Sequence, residues 1–206
     1  YKYKLFLEGQ GFKKYFPKGS LKPTWVFVQS NVVRETSIEL VKDYVLNHLL
    51  SKGEFEVWKL CVNYHLLFTE SYLLMLKSED LPMLRDEKNK SFIVYENGIL
   101  EVTKDNKELV GFMDVEGFVW ESQILKRNYV EHKNYNNDYQ TFISNISNKS
   151  PKALECVLGY LISTYKNKMN NKAIILNDEV ISDNPEGGTG KSLLVQGLRR
   201  IRKTSI

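Results

Sequence analysis

Cysteine is scarce in this chain, which has only Cys61 and Cys156 among its 206 residues. The two lie far apart, each within a pattern typical of a helix interior. Such a pair gives no support to a disulfide framework, and it lacks the close spacing that a zinc knuckle requires. We therefore expect two buried thiols.

Long apolar runs are also missing. The chain is 42% hydrophobic, but its apolar stretches are broken by charged residues within a few positions. A membrane-spanning helix needs roughly 20 consecutive apolar residues. The opening Tyr1-Lys2-Tyr3-Lys4 lacks the apolar segment and the cleavage site of a secretory signal. The sequence thus predicts a globular cytoplasmic protein, without membrane contact, of one large or two small domains.

Acidic residues are rare at both ends of the chain, although the formal net charge is only +4. In residues 1–22 Glu8 is the one acid, and the lysines are Lys2, Lys4, Lys13, Lys14, Lys18 and Lys22. Basic ends of this kind could contact nucleic acid, whose phosphates dominate non-specific binding. Lysines also keep an edge strand soluble, and basic residues suit the last turn of a helix. Both interpretations stay open.

The first third of the chain predicts strands followed by helices. Residues 4–8 and 25–29 are rich in aromatic and β-branched residues and are separated by glycine and proline. A helix follows, with Thr36 and Glu39 as its capping box and Gly53 at its end. Further helical segments are expected over residues 55–68 and 71–77.

A β-hairpin is predicted over residues 91–103. Asn97-Gly98 is the favoured two-residue turn, because both residues tolerate the positive φ of a type I′ turn. This turn sets Tyr95 opposite Leu100 and gives the hairpin one apolar face. A second turn at residues 105–106 and the segment through Trp120 extend it into a small meander.

Two packed helices are predicted after the hairpin. One carries an apolar stripe that includes Tyr139 and Phe142, and the other begins at Ser150-Pro151, a cap with proline in the first turn. We expect the chain to be α+β: an α+β domain over residues 1–132, a helical linker over 133–171, and the start of a third domain over 172–206.

The third domain begins with an apolar strand at residues 173–176, a glycine-rich loop and a helix. This is the first βα unit expected of a P-loop ATPase domain, here truncated, in which the loop amides and the helix N-terminus wrap a polyphosphate. We predict a nucleoside-triphosphate site in which Lys191 neutralises the β and γ oxygens and Ser192 completes the coordination of magnesium. The predicted binding residues are Gly187, Gly188, Thr189, Gly190, Lys191 and Ser192.

The loop departs from the usual pattern at one position. Pro185 stands where a glycine is expected five residues before Gly190, and proline fixes φ and removes an N–H, so the loop must start differently. A chance glycine-rich turn is the alternative interpretation. Three upstream acids could touch the metal or the adenosine, or could be solvated: Asp178, Glu179 and Asp183.

Four segments together resemble the primase-helicases of phages and integrated mobile elements, a superfamily-3 type of helicase. They are residues 95–100, 120–123, the helix that ends at 158–161, and the loop at 186–192. The resemblance implies an ATP-dependent DNA helicase that forms a hexamer and acts in DNA replication in the host cell cytoplasm. Its functional residues that carry over are Lys191 and Ser192 with their glycines.

The family's remaining catalytic residues would lie beyond Ile206, because fourteen residues follow Ser192. We therefore expect this chain to be a fragment with no catalytic residue, unable to hydrolyse ATP alone and weak in nucleotide binding. A non-catalytic DNA-binding or oligomerisation module with a vestigial loop is the alternative. A small-molecule kinase is a third possibility, although kinases usually begin with the loop.

Several other residues have two interpretations each. The three histidines are scattered, which favours a structural or surface position over a role in catalysis or metal binding: His48, His65 and His132. The tryptophans could stack on bases and are more often core residues: Trp25, Trp58 and Trp120. The arginines after the loop could reach DNA or a neighbouring subunit, or could be solvated: Arg199, Arg200 and Arg202.

Overall fold

The computed structural model describes residues 1–131, 137–147, 150–167, 169, 171–177, 188 and 190–202. Contacts divide the chain into two compact units, each built from two separate stretches. The first unit is Tyr1–Leu84 with Phe112–Ser122, and the second is Arg85–Gly111 with Gln123–Ile206. The chain is mixed α+β, as predicted. The expected domain boundaries after residues 132 and 171 stay predictions, because a compact unit defined by contacts is not necessarily a domain that folds independently.

Helices and strands come in blocks along the described residues. The helices there are α1 (Lys2–Gln10), α2 (Ile38–Ser51), α3 (Phe55–Asn63), α4 (Glu70–Leu73), α5 (Asp138–Ile146), α6 (Pro151–Ile162) and α7 (Lys191–Arg199). The strands there are β1 (Phe12–Tyr15), β2 (Thr24–Gln29), β3 (Val32–Glu35), β4 (Lys90–Tyr95), β5 (Gly98–Thr103), β6 (Lys107–Val110) and β7 (Val119–Trp120). Short 3₁₀ turns cover His65–Phe68 and Glu121–Gln123.

The sheet of the first unit has the order β1-β2-β3-β7. Its first three strands are antiparallel, whereas β7 runs parallel to β3 with Trp120 opposite Val33. The meander expected to reach Trp120 therefore ends at β6. The reason is burial: Val33 and Val26 are fully buried with Leu81, and Trp120 packs against that cluster, so the segment leaves the hairpin for this sheet.

Residues 4–8 were predicted as a strand, and this prediction is wrong. They lie in α1, where Leu7 is fully buried and Tyr3 and Phe6 pack beside it at helical spacing. An i,i+4 ion pair joins Lys4 Nζ to Glu8 Oε1 at 3.1 Å. The helix ends at Gly11 with φ 103°, where a Cβ would overlap the carbonyl oxygen of Val28.

Helix α2 forms where predicted but begins on a different cap. Ser37, not Thr36, is the N-cap residue, and its side-chain oxygen accepts a hydrogen bond from Leu40 N at 3.3 Å. The N-cap needs extended backbone, which Ser37 has (φ −121°, ψ 171°). The side-chain hydrogen bond from Ser37 lowers the pKa of Glu39, the residue predicted to complete the capping box.

The helix predicted over residues 55–68 is interrupted. The backbone of Tyr64 leaves the helical region (φ −103°, ψ 73°), so α3 stops at Asn63 and a 3₁₀ turn covers His65–Phe68. The third helical segment, predicted over residues 71–77, is present only as the short α4 (Glu70–Leu73). Thr69 is its N-cap residue, and the Thr69 hydroxyl accepts from Tyr72 N.

The predicted hairpin is formed by β4 and β5, but its register differs. Tyr95 lies opposite Gly98 and not opposite Leu100, so the two-residue loop is Glu96-Asn97. The glycine is needed in the strand, since a Cβ there would lie 2.6 Å from the carbonyl oxygen of Val110 on β6. The turn with two positive φ values is instead Ser30-Asn31, between β2 and β3.

In the second unit three helices share one apolar cluster. Ile143 of α5, Leu158 of α6, and Leu194 and Leu198 of α7 are buried together. Partly buried residues at helical spacing pack against this cluster, as the 3.6-residue period predicted: Tyr139, Phe142 and Ile146 of α5, and Leu154 and Ile162 of α6. The same unit holds the β4-β5-β6 sheet.

Candidate functional site

The glycine-rich loop is only partly within the described residues. Gly188, Gly190, Lys191 and Ser192 are described. The other predicted binding residues and the upstream residues discussed with them lie outside the described residues: Gly187, Thr189, Asp178, Glu179, Asp183 and Pro185. The geometry of the candidate site therefore rests on the end of the loop and on helix α7.

The loop ends where α7 begins. Gly190 is the N-cap residue and has a left-handed backbone (φ 89°, ψ −4°), a conformation that glycine adopts without strain. Lys191 and Ser192 are the first two residues of the helix, and Ser192 is exposed. Gly190 supplies no side-chain cap, so the first-turn amides of α7 are of the kind that bind an anion.

Two glycines let α7 lie close against α5. A Cβ on Gly190 would be 3.0 Å from Cε2 of Phe142, and one on Gly197 would overlap the Tyr139 hydroxyl. Tyr139 Oη donates to the carbonyl oxygen of Leu194 at 3.2 Å, and burial raises the pKa of this phenol. Gly190 is thus required both by its φ and by the ring beside it.

The far end of α7 is held by a buried ion pair. Arg202 Nη2 donates to Asp86 Oδ2 at 2.9 Å and to Oδ1 at 3.1 Å. Asp86 also accepts from the backbone N–H of Phe92 and of Thr164, each at 2.8 Å. This carboxylate therefore ties α7 to the start of β4 and to the end of α6.

Two interpretations of the arginines after the loop were left open above: contact with DNA or with a neighbouring subunit, and solvation. The structure shows a third role for Arg202, an internal one. Its guanidinium binds Asp86, and its Nε donates to the carbonyl oxygen of Ile162 at 3.0 Å. Arg200 is exposed. Asp86 itself was not singled out from the sequence, since its partner lies 116 positions away.

The strand expected at residues 173–176 is absent, and this prediction is wrong. Residues 171–177 are described and have no regular secondary structure. Just before the predicted strand, Tyr160 Oη of α6 accepts from Lys172 N at 2.8 Å and donates to its carbonyl oxygen at 3.1 Å, so a side chain and not a neighbouring strand binds the backbone there. Of the predicted strand–loop–helix unit, the described residues therefore show the helix but not the strand.

The histidines and tryptophans that the structure describes differ in their surroundings, and His65 is exposed in the 3₁₀ turn. His48 contacts the rings of Phe6 and Tyr44. The indole nitrogens of Trp25 and Trp58 are buried without a hydrogen-bond partner among the described residues. No group of three metal-ligating side chains occurs in the part of the chain that the structure describes. His132 lies outside the described residues.

A surface cleft that the sequence did not predict lies at the carboxyl ends of β3 and β7 in the first unit. Its volume is about 430 Å³, and its lining consists of Val33, Arg34, Glu35, Trp120, Glu121 and Ser122. Arg34 binds Glu121 through two hydrogen bonds, one of them from Nε to Oε2 at 2.7 Å. Carboxyl ends of parallel strands are a common place for ligands. Arg34 and Glu121 are 87 positions apart, so no sequence pattern could join them.

The chain matches no protein-family model, no curated protein and no solved structure. The helices formed by its described residues are all too short or too polar to cross a membrane.

Proposed function

We propose that the loop from Gly187 to Ser192 binds the phosphates of ATP with magnesium, and that the chain is part of an ATP-dependent DNA helicase of the primase-helicase type. In this proposal the loop amides hold the phosphates. Lys191 neutralises the β and γ oxygens, and the Ser192 hydroxyl is a magnesium ligand. The parent assembly is a hexamer that acts on phage or mobile-element DNA in the host cytoplasm.

One observation carries the proposal: a left-handed glycine immediately precedes a helix that opens with lysine and serine. Gly190 turns the chain into α7, and Ser192 is exposed in the first turn. An anion at this end of the helix is favoured by the amide donors and by the helix dipole. The order Gly-Lys-Ser at this point matches the end of the phosphate-loop pattern, in which the lysine reaches the phosphates and the hydroxyl reaches magnesium.

The role that we propose for these residues is binding. ATP hydrolysis also needs a carboxylate that holds the metal and a group that orients water. We assign neither to a residue of this chain. The bound nucleotide would supply its phosphates as the anion, and this chain would position them through Lys191, Ser192 and the adjoining amides.

Amide NMR on the whole 206-residue chain tests the proposal, because this method also detects weak binding. The ¹⁵N-labelled protein is titrated with ATP and magnesium, and the signals of Gly188, Gly190 and Ser192 are followed. We expect these signals to shift progressively. Replacing Lys191 with alanine removes a charge-assisted contact and should weaken binding by about tenfold or more.

Lys152→Ala is the matched control, since Lys152 is an exposed lysine on α6 and its loss changes the net charge equally. It should bind like the native chain. The proposal is wrong if the loop signals do not respond to millimolar ATP with magnesium, or if Lys191→Ala and Lys152→Ala bind equally well.

One observation favours the second candidate, a non-catalytic DNA-binding or oligomerisation module with a vestigial loop. Residues 171–177 form no strand, and Tyr160 occupies the backbone groups of Lys172. If the second function is correct, the NMR signals of the loop should not change in the ATP titration. DNA binding, measured by fluorescence anisotropy, or self-association, measured by light scattering, should then occur without nucleotide.

A further inference from the structure

The β1–β2 hairpin is unusual in its charge. No acid occurs from Gly9 to Arg34, a stretch that includes β1, β2 and the loop of residues 16–23 between them. The lysines within β1 are already occupied. Lys13 forms an ion pair with Glu79 at 2.5 Å, and Lys14 Nζ donates to the carbonyl oxygen of Leu74 at 2.6 Å.

The lysines of the loop are different. Lys18 and Lys22 are exposed, and neither makes an ion pair with any residue that the structure describes. The loop therefore presents two uncompensated positive charges close together at the tip of a hairpin. A phosphate backbone is the polyanion that such a tip fits.

The loop also has hydrogen bonds of its own and exposed apolar groups. Ser20 N donates to the carbonyl oxygen of Pro17 at 2.8 Å, and Ser20 Oγ donates to that of Lys22 at 2.9 Å. Phe16 is 44% exposed and Leu21 is 99% exposed. An exposed aromatic ring beside free cations is the combination that single-stranded nucleic acid binding uses, since each base can stack while its phosphate pairs.

The loop adjoins the cleft at the carboxyl ends of β3 and β7. Tyr15, the last residue of β1, makes an edge contact with Trp120 in the cleft, at 5.7 Å between ring centroids. The volume of about 430 Å³ lies within the range of about 300–1,000 Å³ for ligand clefts. Glu35 is exposed in this cleft and has no ion-pair partner among the described residues.

The charges divide the surface into two parts. Phosphates are suited to the loop, where there is no acid. The cleft keeps the Glu35 carboxylate, which repels phosphate but accepts hydrogen bonds from the exocyclic amino group of a base. Trp120 offers an aromatic surface to the same base.

We infer that the β1–β2 loop and the cleft at the carboxyl ends of β3 and β7 form a binding surface for single-stranded DNA. Lys18 and Lys22 contact phosphates, Phe16 stacks on a base, and the cleft receives a neighbouring base. This inference rests on the DNA-binding part of the proposed function and is independent of the phosphate loop. An anionic membrane surface is the competing partner for a loop with free lysines and an exposed leucine.

The test measures fluorescence anisotropy of a labelled single-stranded oligodeoxynucleotide with the full 206-residue chain, without nucleotide and across a salt series. The double variant Lys18→Ala, Lys22→Ala should bind more weakly. Its plot of log affinity against log salt should be flatter by about 1.4, since each phosphate contact on a single strand contributes about 0.7. Phe16→Ala should lose about fivefold or more in affinity.

Lys88→Ala with Lys104→Ala is the control, because both lysines are exposed in loops of the second unit and have no ion-pair partner among the described residues. It removes the same charge and should leave the salt slope unchanged. Lys191→Ala should also bind the oligonucleotide as the native chain does, so failure of the phosphate loop and failure of this surface are separable.

Three results would overturn the inference. The first is a native chain that does not bind the oligonucleotide. The second is a loop variant with the same affinity and salt slope as the control variant. The third is binding to phosphatidylserine vesicles in place of DNA. In that case the double variant would lose co-sedimentation with the vesicles but keep the affinity of the native chain for the oligonucleotide.

Discussion

Arg202 Nη2 lies 2.9 Å from Oδ2 of Asp86, and the Asp86 side chain is only 2% exposed. The carboxylate also accepts hydrogen bonds from two backbone N–H groups, and every partner that Asp86 has among the described residues belongs to the second unit. Because Arg202 follows α7, the helix that begins at Lys191 is fixed at its far end by this pair. The position of the proposed phosphate-binding residues thus depends on a contact outside the loop.

Replacing Arg202 with methionine should destabilise the fold by about 3 kcal/mol, because it leaves the Asp86 charge buried with only its backbone donors. Arg200→Met is the control, since Arg200 is exposed and surface substitutions usually change stability by less than about 0.5 kcal/mol. Urea denaturation followed by circular dichroism measures both. Equal midpoints for the two variants would show that the buried pair does not stabilise this unit.

Gly197→Ala should destabilise by about 1–3 kcal/mol even though alanine is the better helix former. The added Cβ would overlap the hydroxyl of Tyr139, so α7 must move away from α5. Gly159→Ala on α6 is the matched control, because nothing lies within 4 Å of the added atom there. That variant should gain up to about 1 kcal/mol. Thermal melting of both variants gives the comparison, and a gain for Gly197→Ala would contradict the packing described here.

Ser37→Ala should cost about 1 kcal/mol, since it removes the cap that accepts from Leu40 N. Thr36→Ala should change stability much less, because the recorded hydrogen bond of Thr36 is from its backbone N to the carbonyl oxygen of Trp25. Chemical denaturation of the two variants decides which residue caps α2. A larger loss for Thr36→Ala would restore the cap predicted from the sequence.

The two cysteines should differ in their reaction with a thiol reagent. Cys156 is exposed, whereas Cys61 is buried, and burial raises the pKa of its thiol. A raised pKa keeps Cys61 protonated and unreactive to a higher pH, since the thiolate is the nucleophile. At pH 8 one equivalent should react rapidly with Ellman's reagent and the second only on unfolding. Cys156→Ser should abolish the rapid phase, and a rapid phase that survives would contradict the burial of Cys61.

The expectation of two buried thiols was therefore right for Cys61 and wrong for Cys156. Both cysteines lie in helices, as the pattern indicated. Which face of α6 is covered depends on α5 and α7, and Leu158 of α6 shares their apolar cluster. Periodicity can locate a helix but not its neighbours.

The sequence by itself determined most of the helices that the described residues form, including the helix that follows the glycine-rich loop. Apolar residues at 3.6-residue spacing predict α2, α5, α6 and α7, because this spacing is a local property of each segment. The helix predicted after the glycine-rich loop is present as α7, although it begins at Lys191, inside the stretch assigned to the loop.

Only the tertiary structure decided the features that join distant residues. The hairpin register depends on how close Val110 of β6 comes to Gly98, and Asp86 finds Arg202 across 116 positions. Residues 4–8 suit a strand by composition and form α1 because Leu7 is buried there with its neighbours. Each of these outcomes is set by the free energy of packing between segments, which no window of local sequence contains.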